Sequence, residues 1–209
     1  MKITFVRHPE TEALIKKIIY GQTQSPYTKK GELSVSWVSD QLAMDDIASI
    51  YSSPLDRAKV LAMDIAKSHE NLNVQIDDRI TEMSVGIFEQ MTFKEAEEAY
   101  PNDAKLFLED FGNYRIPGSE VFSEVKERVS DFLKDVIQKE DEFRKEGYPT
   151  RPIIVVSHAM AIRAALSHLF NAELSDLWHI RINPASIIRV KYKDGFAQLL
   201  GMSDPHDIF

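Results

Sequence analysis

The chain contains no cysteine among its 209 residues. This absence excludes disulfide bonds, a thiol nucleophile and thiolate-ligated metal sites. A chain of this length, with 44% apolar residues, is long enough to bury a real hydrophobic core without such crosslinks. The lack of cysteine fits a reducing compartment, and we expect a cytoplasmic protein.

Long hydrophobic runs are also missing. The longest apolar stretches, such as Ile153–Val156, have the length of strands and fall far short of the roughly 20 residues of a membrane-spanning helix. The N-terminal run Ile3–Val6 is interrupted by Arg7 and is too short for a signal peptide. We therefore expect no membrane partner.

Positive charge is the third scarcity. The chain has 25 Lys and Arg against 33 Asp and Glu, a formal net charge of −8. Because nucleic acids are bound by basic faces, this balance argues against a nucleic-acid partner. It leaves room for a few arginines gathered in a cleft, since net charge does not describe a pocket. The sequence does not indicate an oligomeric state.

Short apolar runs alternate with amphipathic helical patterns. The strands are predicted at Ile3–Val6, Ala48–Tyr51, Val74–Ile76 and Ile153–Val156, with a C-terminal hairpin of Ser186–Tyr192 and Phe196–Leu200. The helices are predicted from Thr28 to about Met44, from a Ser53 cap with Pro54 in the first turn, from Ser119 to near Gly147, and from about Met160 to Phe170. The alternation predicts an α/β sheet covered on both faces.

We expect one domain over residues 1–209. The segment at about 91–115 is rich in charged and aromatic residues and has no strand periodicity. We interpret it as short helices that cover a site.

Reactive side chains follow three of the predicted strands. Arg7 and His8 come directly after Val6, His158 follows the strand that ends at Val156, and Arg57 lies in the first turn of the helix after Tyr51. In open α/β sheets, ligands bind beyond the carboxyl ends of the strands. If these strands are neighbours, the four side chains meet at one edge of the sheet.

Two arginines and two histidines suit phosphoryl transfer. Arginine forks match phosphate oxygens, and a neutral imidazole can attack phosphorus and carry the phosphoryl group. The second histidine can donate to the equatorial oxygens, so the charge is stabilised without a metal or other cofactor. A leaving alkoxide needs a proton, and Glu82 in RITEMSVGIFE is the best candidate acid.

Five segments resemble the motifs of the histidine phosphatase superfamily, the phosphoglycerate-mutase-like group. VRHPETEA resembles its RHG-E-T signature, and GQTQSPYTKKGE resembles G-x-T-D-x-P-L-T-x-x-G. YSSPLDRAKVLA, RITEMSVGIFE and VSHAMAIRAAL resemble the S-S-P-L-x-R-A, L-x-E-x-x-x-G-x-x-E and H-G-x-x-I-R blocks. One block alone is weak, but five in the family's order are specific.

The resemblance implies a role for each matching residue. His8 falls on the nucleophile that becomes phosphohistidine, and Glu82 falls on the proton donor. Arg7, Arg57 and His158 fall on the phosphate pocket. The matching positions at the pocket edge are Gln22 and Thr23, with Ala159 as a backbone N–H donor to phosphate. The implied fold is a three-layer α/β/α sandwich with a mostly parallel sheet.

The chain departs from the family pattern at four positions. Pro9 replaces a glycine, and a proline at this position fixes φ and removes a backbone N–H. Leu14 replaces an asparagine that bonds the phosphate in many members. Gln24 replaces an aspartate, and Ala159 replaces a glycine. None of these changes removes the arginine–histidine core.

Several alternatives remain open from the sequence. The compact size and RHPETEA look most like the α-ribazole phosphatase branch, which implies a small phosphorylated metabolite as partner. A broad-specificity phosphatase, a phosphoglycerate mutase-like enzyme and a catalytically weak phosphoprotein-binding scaffold are the other hypotheses. Glu10 and Glu89 are expected as ion-pair partners of the arginines, and Arg163 is expected to be structural.

Overall fold

One six-stranded sheet organises the molecule. The computed structural model describes residues 1–70, 72–149 and 151–205. The strands are β1 Lys2–Arg7, β2 Ser49–Ser52, β3 Val74–Ile76, β4 Ile153–Ser157, β5 Ile187–Lys193 and β6 Phe196–Ser203. Their order across the sheet is β3-β2-β4-β1-β5-β6. The first four are parallel, while β5 runs antiparallel to β1 and forms the C-terminal hairpin with β6.

The helices are assigned within the same described residues. They are α1 Glu12–Ile15, α2 Lys29–Leu42, α3 Asp56–Ala66, α4 Phe93–Ala99, α5 Pro101–Glu109, α6 Phe122–Lys145, α7 Ala159–Phe170 and α8 Leu174–Leu177. Two 3-10 turns lie at Asp78–Ile80 and Gly86–Phe88. None of the helices in the described ranges is long and apolar enough to cross a membrane.

Successive side chains of the strands point to opposite faces, and each face is covered by helices. Ile153 and Val155 of β4 pack in a core with α6 and α7. Ile154 and Val156 pack in a second core with α2 and α3. Because both faces are covered, β4 is apolar along its whole length. The expected three-layer sandwich with a mostly parallel sheet is confirmed.

Two helix starts were predicted wrongly. Helix α3 begins at Asp56, because the Ser53 hydroxyl accepts a hydrogen bond from the Leu55 N–H (3.3 Å) within the preceding turn. Helix α6 begins at Phe122, three residues after the predicted Ser119. In both cases a good capping residue lies in the turn that precedes the helix, so the capping preference marks the region and not the first residue.

The segment predicted as a cover forms α4 and α5. Thr92 and Glu95 make a capping box that starts α4, and Pro101 lies in the first turn of α5. Buried residues of this segment, such as Ala96 and Ala104, form a separate apolar cluster with Phe88. The cover role, like the single domain over 1–209, stays a prediction.

Candidate active site

The predicted strands are neighbours, and their carboxyl ends carry the predicted site residues. β1 lies beside β4, with Arg7 opposite Ser157. His8 and His158 follow these two strands, and their ring centroids are 5.2 Å apart. β2 lies on the other side of β4, so the turn after it brings Ser53 to His158. Parallel pairing thus assembles side chains that are 150 residues apart in sequence.

The His8 ring is fixed in one tautomer. Its Nδ1 lies 2.7 Å from the Pro9 carbonyl oxygen, and His8 is 2% exposed. A carbonyl can only accept, so Nδ1 carries the proton and Nε2 keeps its lone pair. Pro9 therefore supplies its carbonyl at the point where the resemblance expects a glycine, and its missing N–H does not affect this contact.

Arg7 and Arg57 are held by backbone carbonyls. Arg7 donates to the Ile182 oxygen at 2.7 Å, and Arg57 donates to the Gly21 and Thr23 oxygens at 2.5 and 2.8 Å. Neither guanidinium forms an ion pair within the described chain, and the Nε atom of each is buried without a partner. Burial lowers the pKa of both arginines. Cations that have no direct ion-pair partner and keep an unpaired N–H donor are suited to binding an oxyanion.

His158 is fully buried and bonds to Ser53. Its Nε2 lies 2.7 Å from the Ser53 hydroxyl oxygen, and its Nδ1 has no partner among the described residues. The Leu55 N–H donates to the same hydroxyl at 3.3 Å, and this hydroxyl can still either donate to His158 Nε2 or accept from it. In the tautomer in which Ser53 donates to Nε2, the His158 proton lies on Nδ1 and is a further unpaired donor in the site.

Glu82 binds the N-terminus of α7. Its Oε1 accepts from the N–H groups of Met83 (2.9 Å), Met160 (3.1 Å) and Ala161 (3.3 Å). Its Oε2 accepts a single, longer bond from Met160 at 3.3 Å. Ala159 is the first residue of α7, where a helix leaves its N–H without an intrahelical partner. Glu82 and Ala159 therefore both lie at the N-terminus of α7, the helix that directly follows His158.

The loop with Gln22 and Thr23 is organised by Glu89. The Glu89 carboxylate accepts from the backbone N–H groups of Gly21, Gln22 and Thr23 and from the Thr23 hydroxyl at 2.7 Å. The expectation that Glu89 and Glu10 pair directly with the arginines is wrong. Glu89 holds the loop whose carbonyls bind Arg57, and Glu10 accepts from the Thr28 hydroxyl. Gln22 donates to the Glu82 carbonyl at 3.1 Å.

Two further residues belong to the site. The Arg57 guanidinium lies 4.9 Å from the centre of the Tyr20 ring, and Tyr20 also packs at an angle against His8. Gln24, which replaces an aspartate of the family pattern, accepts from the Asp56 N–H at the start of α3. Tyr20 was missed because it follows no strand and matches none of the five motif blocks.

Both histidines have lowered pKa values. Burial, followed by the charges of Arg7 and Arg57, lowers the pKa of His8 well below 6.5. Burial, followed by His8 and the nearby arginines, does the same for His158. Because the unfolded chain takes up these protons more readily, each histidine contributes stability that is complete above about pH 6.5 and is lost as the pH falls below it.

We expect His158→Gln to flatten the pH dependence of stability. Between about pH 6.5 and 4.5 the free energy of unfolding of the wild type should fall more steeply, by up to about 1.4 kcal/mol per pH unit. Urea unfolding at a series of pH values measures this difference, with the exposed histidine variant His179→Gln as control. Parallel profiles for wild type and His158→Gln would contradict the assignment of a neutral buried His158.

The comparisons with known proteins place the chain in a family. Residues 3–205 match the family model of the histidine phosphatase superfamily, branch 1. Phosphoserine phosphatase 1 of Hydrogenobacter thermophilus is 30% identical over 186 residues, which are 89% of this chain and 84% of that protein. The probable phosphoglycerate mutase GpmB of Salmonella choleraesuis is 27% identical over 194 residues, which are 93% of this chain and 86% of that protein.

Solved structures share the fold. The α-ribazole phosphatase of Shigella flexneri superposes with a TM-score of 0.84 at 22% identity, covering 95% of this chain and 94% of that chain. A putative α-ribazole-5'-P phosphatase from Escherichia coli gives 0.83 at 23% identity, with the same coverage. The chain belongs to the histidine phosphatase superfamily, and it is a phosphatase.

Proposed function

We propose that this protein is a metal-independent phosphomonoesterase that works through a phosphohistidine on His8. One observation carries the proposal. The Pro9 carbonyl holds the proton of His8 on Nδ1, which leaves the Nε2 lone pair free beside the unpaired cations Arg7 and Arg57. A neutral, oriented imidazole next to a site for an oxyanion is the arrangement that nucleophilic attack on phosphorus requires.

In the first step His8 Nε2 attacks phosphorus and the bond between phosphorus and the ester oxygen breaks. Arg7, Arg57 and the Nδ1–H of His158 bind the equatorial oxygens, where charge accumulates. The Ala159 N–H at the start of α7 adds a backbone donor, and the loop of Gln22 and Thr23 forms the edge of the pocket. The leaving alkoxide takes a proton from Glu82.

The two carboxylate oxygens of Glu82 have different roles. Three N–H groups donate to Oε1. Oε2 accepts only one long bond, from the Met160 N–H, which also donates to Oε1. Oε2 is therefore the oxygen that carries the proton to the leaving group. In the second step the resulting carboxylate takes a proton from water as the water oxygen bonds to phosphorus. The P–N bond breaks, its electron pair returns to His8 Nε2, and inorganic phosphate is released.

We propose α-ribazole 5'-phosphate as the candidate substrate, a small phosphorylated metabolite. The compact chain and the RHPETEA opening support it. Phosphoserine is a second candidate, supported by the 30% identity to phosphoserine phosphatase 1. A broad-specificity phosphatase and a mutase remain alternatives, the latter supported by the likeness to GpmB. A scaffold without turnover is disfavoured, because His8 and its surroundings are intact.

A substrate panel tests this proposal. Initial rates are measured with α-ribazole 5'-phosphate, phosphoserine, 3-phosphoglycerate and para-nitrophenyl phosphate, and mutase activity is measured separately. A kcat/KM for α-ribazole 5'-phosphate at least about tenfold above the others supports that substrate. Preference for phosphoserine supports the second candidate, and similar values for all esters support a broad phosphatase. No hydrolysis of any ester would contradict the proposed function.

Glu82→Gln should slow alkyl phosphates far more than aryl phosphates. A poor leaving group needs the proton, and general-acid catalysis contributes about 100- to 10,000-fold. We expect a loss in this range for an alkyl ester and a loss smaller by at least about tenfold for para-nitrophenyl phosphate. Steady-state kinetics with both esters measure the ratio. Equal losses would contradict the role of Glu82 as acid.

Chelation should leave the rate unchanged. Among the residues with assigned structure, no group of three or more His, Asp or Glu side chains is placed to hold a metal ion. The proposed chemistry uses arginine and histidine donors for the charge on phosphorus. Dialysis against EDTA followed by assay in EDTA is therefore expected to keep the full activity. Inhibition that is reversed by a divalent cation would contradict the metal-independent mechanism.

A further inference from the structure

The proposed acid, Glu82, lies on a loop and not on a helix or strand. It comes between the two 3-10 turns, Asp78–Ile80 and Gly86–Phe88. Its carboxylate accepts hydrogen bonds from the first N–H groups of α7 but is not part of that helix. The position of the acid therefore depends on what holds the backbone of this loop.

One arginine of α6 holds that backbone. Arg128 Nη1 donates to the Arg79 and Thr81 carbonyls, each at 2.7 Å, and Nη2 donates to the Glu82 carbonyl at 3.2 Å. The three carbonyls lie within four residues of each other and include that of the acid itself. Arg128 is mostly buried, with 19% of its side chain exposed.

Glu120 binds Arg128 and the same loop, and we call Arg128 and Glu120 together the clamp. Its Oε1 accepts from Arg128 Nε at 2.7 Å, and its Oε2 accepts from Nη2 at 3.0 Å and from the Ser84 N–H at 2.9 Å. The loop is thus fixed before Glu82, at its own carbonyl and two residues after it. Arg128 donates five hydrogen bonds in total, and five is also the number of N–H groups on a guanidinium.

We propose that Arg128, held by Glu120, is the positioning residue that sets Glu82 for proton transfer. The inference rests on the proposed function, because it assigns Arg128 a role through the acid. Lysine cannot replace it, since an ammonium has three donors at one point and lacks the planar fork. Without the hydrogen bonds of the clamp, the Glu82 carboxylate loses its fixed distance to the leaving group, and small displacements reduce catalysis strongly.

The test separates positioning from general support of the fold. Arg128→Lys and Glu120→Gln are assayed with an alkyl phosphate that the wild type hydrolyses and with para-nitrophenyl phosphate. We expect kcat for the alkyl ester to fall at least about tenfold more than kcat for the aryl ester, because only the alkyl ester needs the acid. KM should change little for either ester. Arg128→Lys in a Glu82→Gln background should not change the ratio further.

The matched control is Arg79→Lys. Arg79 belongs to the same loop and reaches the same helix, but its side chain pairs with Asp77 and Asp135 at the surface. We expect it to leave the alkyl-to-aryl ratio unchanged. Thermal unfolding of each variant verifies that the protein is folded, and Glu120→Gln provides the answer if Arg128→Lys does not fold.

Three results would overturn the inference. Equal losses on both esters would mean that Arg128 supports the fold only. An undiminished effect in the Glu82→Gln background would mean that it acts independently of the acid, and a ratio change in Arg79→Lys would mean that any perturbation of the loop suffices. If Glu82→Gln itself shows no dependence on the leaving group, the assignment of the acid in the proposed function fails as well, so the two failures are distinguishable.

Discussion

His8→Ala should abolish turnover with every phosphate ester. The variant removes the Nε2 atom that attacks phosphorus, and no second imidazole is oriented for the same attack, because His158 bonds to Ser53 through its own Nε2. We expect kcat to fall by about a thousandfold or more, the size of loss seen when a covalent nucleophile is removed. Hydrolysis of para-nitrophenyl phosphate is the assay, since its good leaving group makes residual activity easiest to detect.

The control for this variant is His168→Ala. His168 also lies on an element of the α6 and α7 layer, near Lys134 and Asp131, and has no contact with the phosphate site. The His168→Ala variant should keep the activity of the wild type. Activity of His8→Ala within tenfold of the wild type would contradict a phosphohistidine on His8, whatever the substrate turns out to be.

Arg57→Lys should lower kcat/KM by about 100- to 1,000-fold, in the range found for the loss of one donor to transition-state charge. The lysine keeps the charge but cannot donate to both the Gly21 and Thr23 carbonyls while it presents a further N–H to phosphate. It also loses the planar contact with the Tyr20 ring. The inhibition constant for inorganic phosphate should rise in parallel, because the product uses the same donors.

Arg115→Lys is the control for Arg57→Lys. Arg115 is half exposed and pairs with Glu124 at the surface. We expect its kinetics to match the wild type. A value of kcat/KM for Arg57→Lys within threefold of the wild type, with unchanged inhibition by phosphate, would show that Arg57 holds the loop and does not bind the phosphoryl group.

The parts of the fold that depend on local pattern were predictable. The uninterrupted β-branched run of β4 is typical of a strand covered on both faces, and its position at the centre of the sheet follows. The apolar stripe of α6 marks a long helix packed on one side. Because the parallel strands present their carboxyl ends at one edge, placing His8 and His158 together needed only the strand assignments and one assumption about neighbours.

The contacts that fix the site could not be predicted, because they join distant parts of the chain. Glu89 bonds to residues 66 to 68 positions away, and although its motif block marks it as a site residue, its local sequence does not show that its partners are the backbone N–H groups of a distant loop. Ser53 has the sequence features of a helix cap, yet its hydroxyl bonds His158, 105 residues further on. Arg128 lies among other charged residues of α6, and only the folded loop shows that its N–H groups donate to backbone carbonyls.

A rapid-quench experiment on the wild type tests the phosphohistidine on His8 most directly. The protein is mixed with excess para-nitrophenyl phosphate, quenched in alkali during the first turnover and mapped by peptide mass spectrometry. We expect one phosphoryl group on His8, formed and lost at least as fast as turnover, stable in alkali and labile in acid. A phosphoryl group on another residue, or a full turnover with no phosphorylated residue, would contradict it.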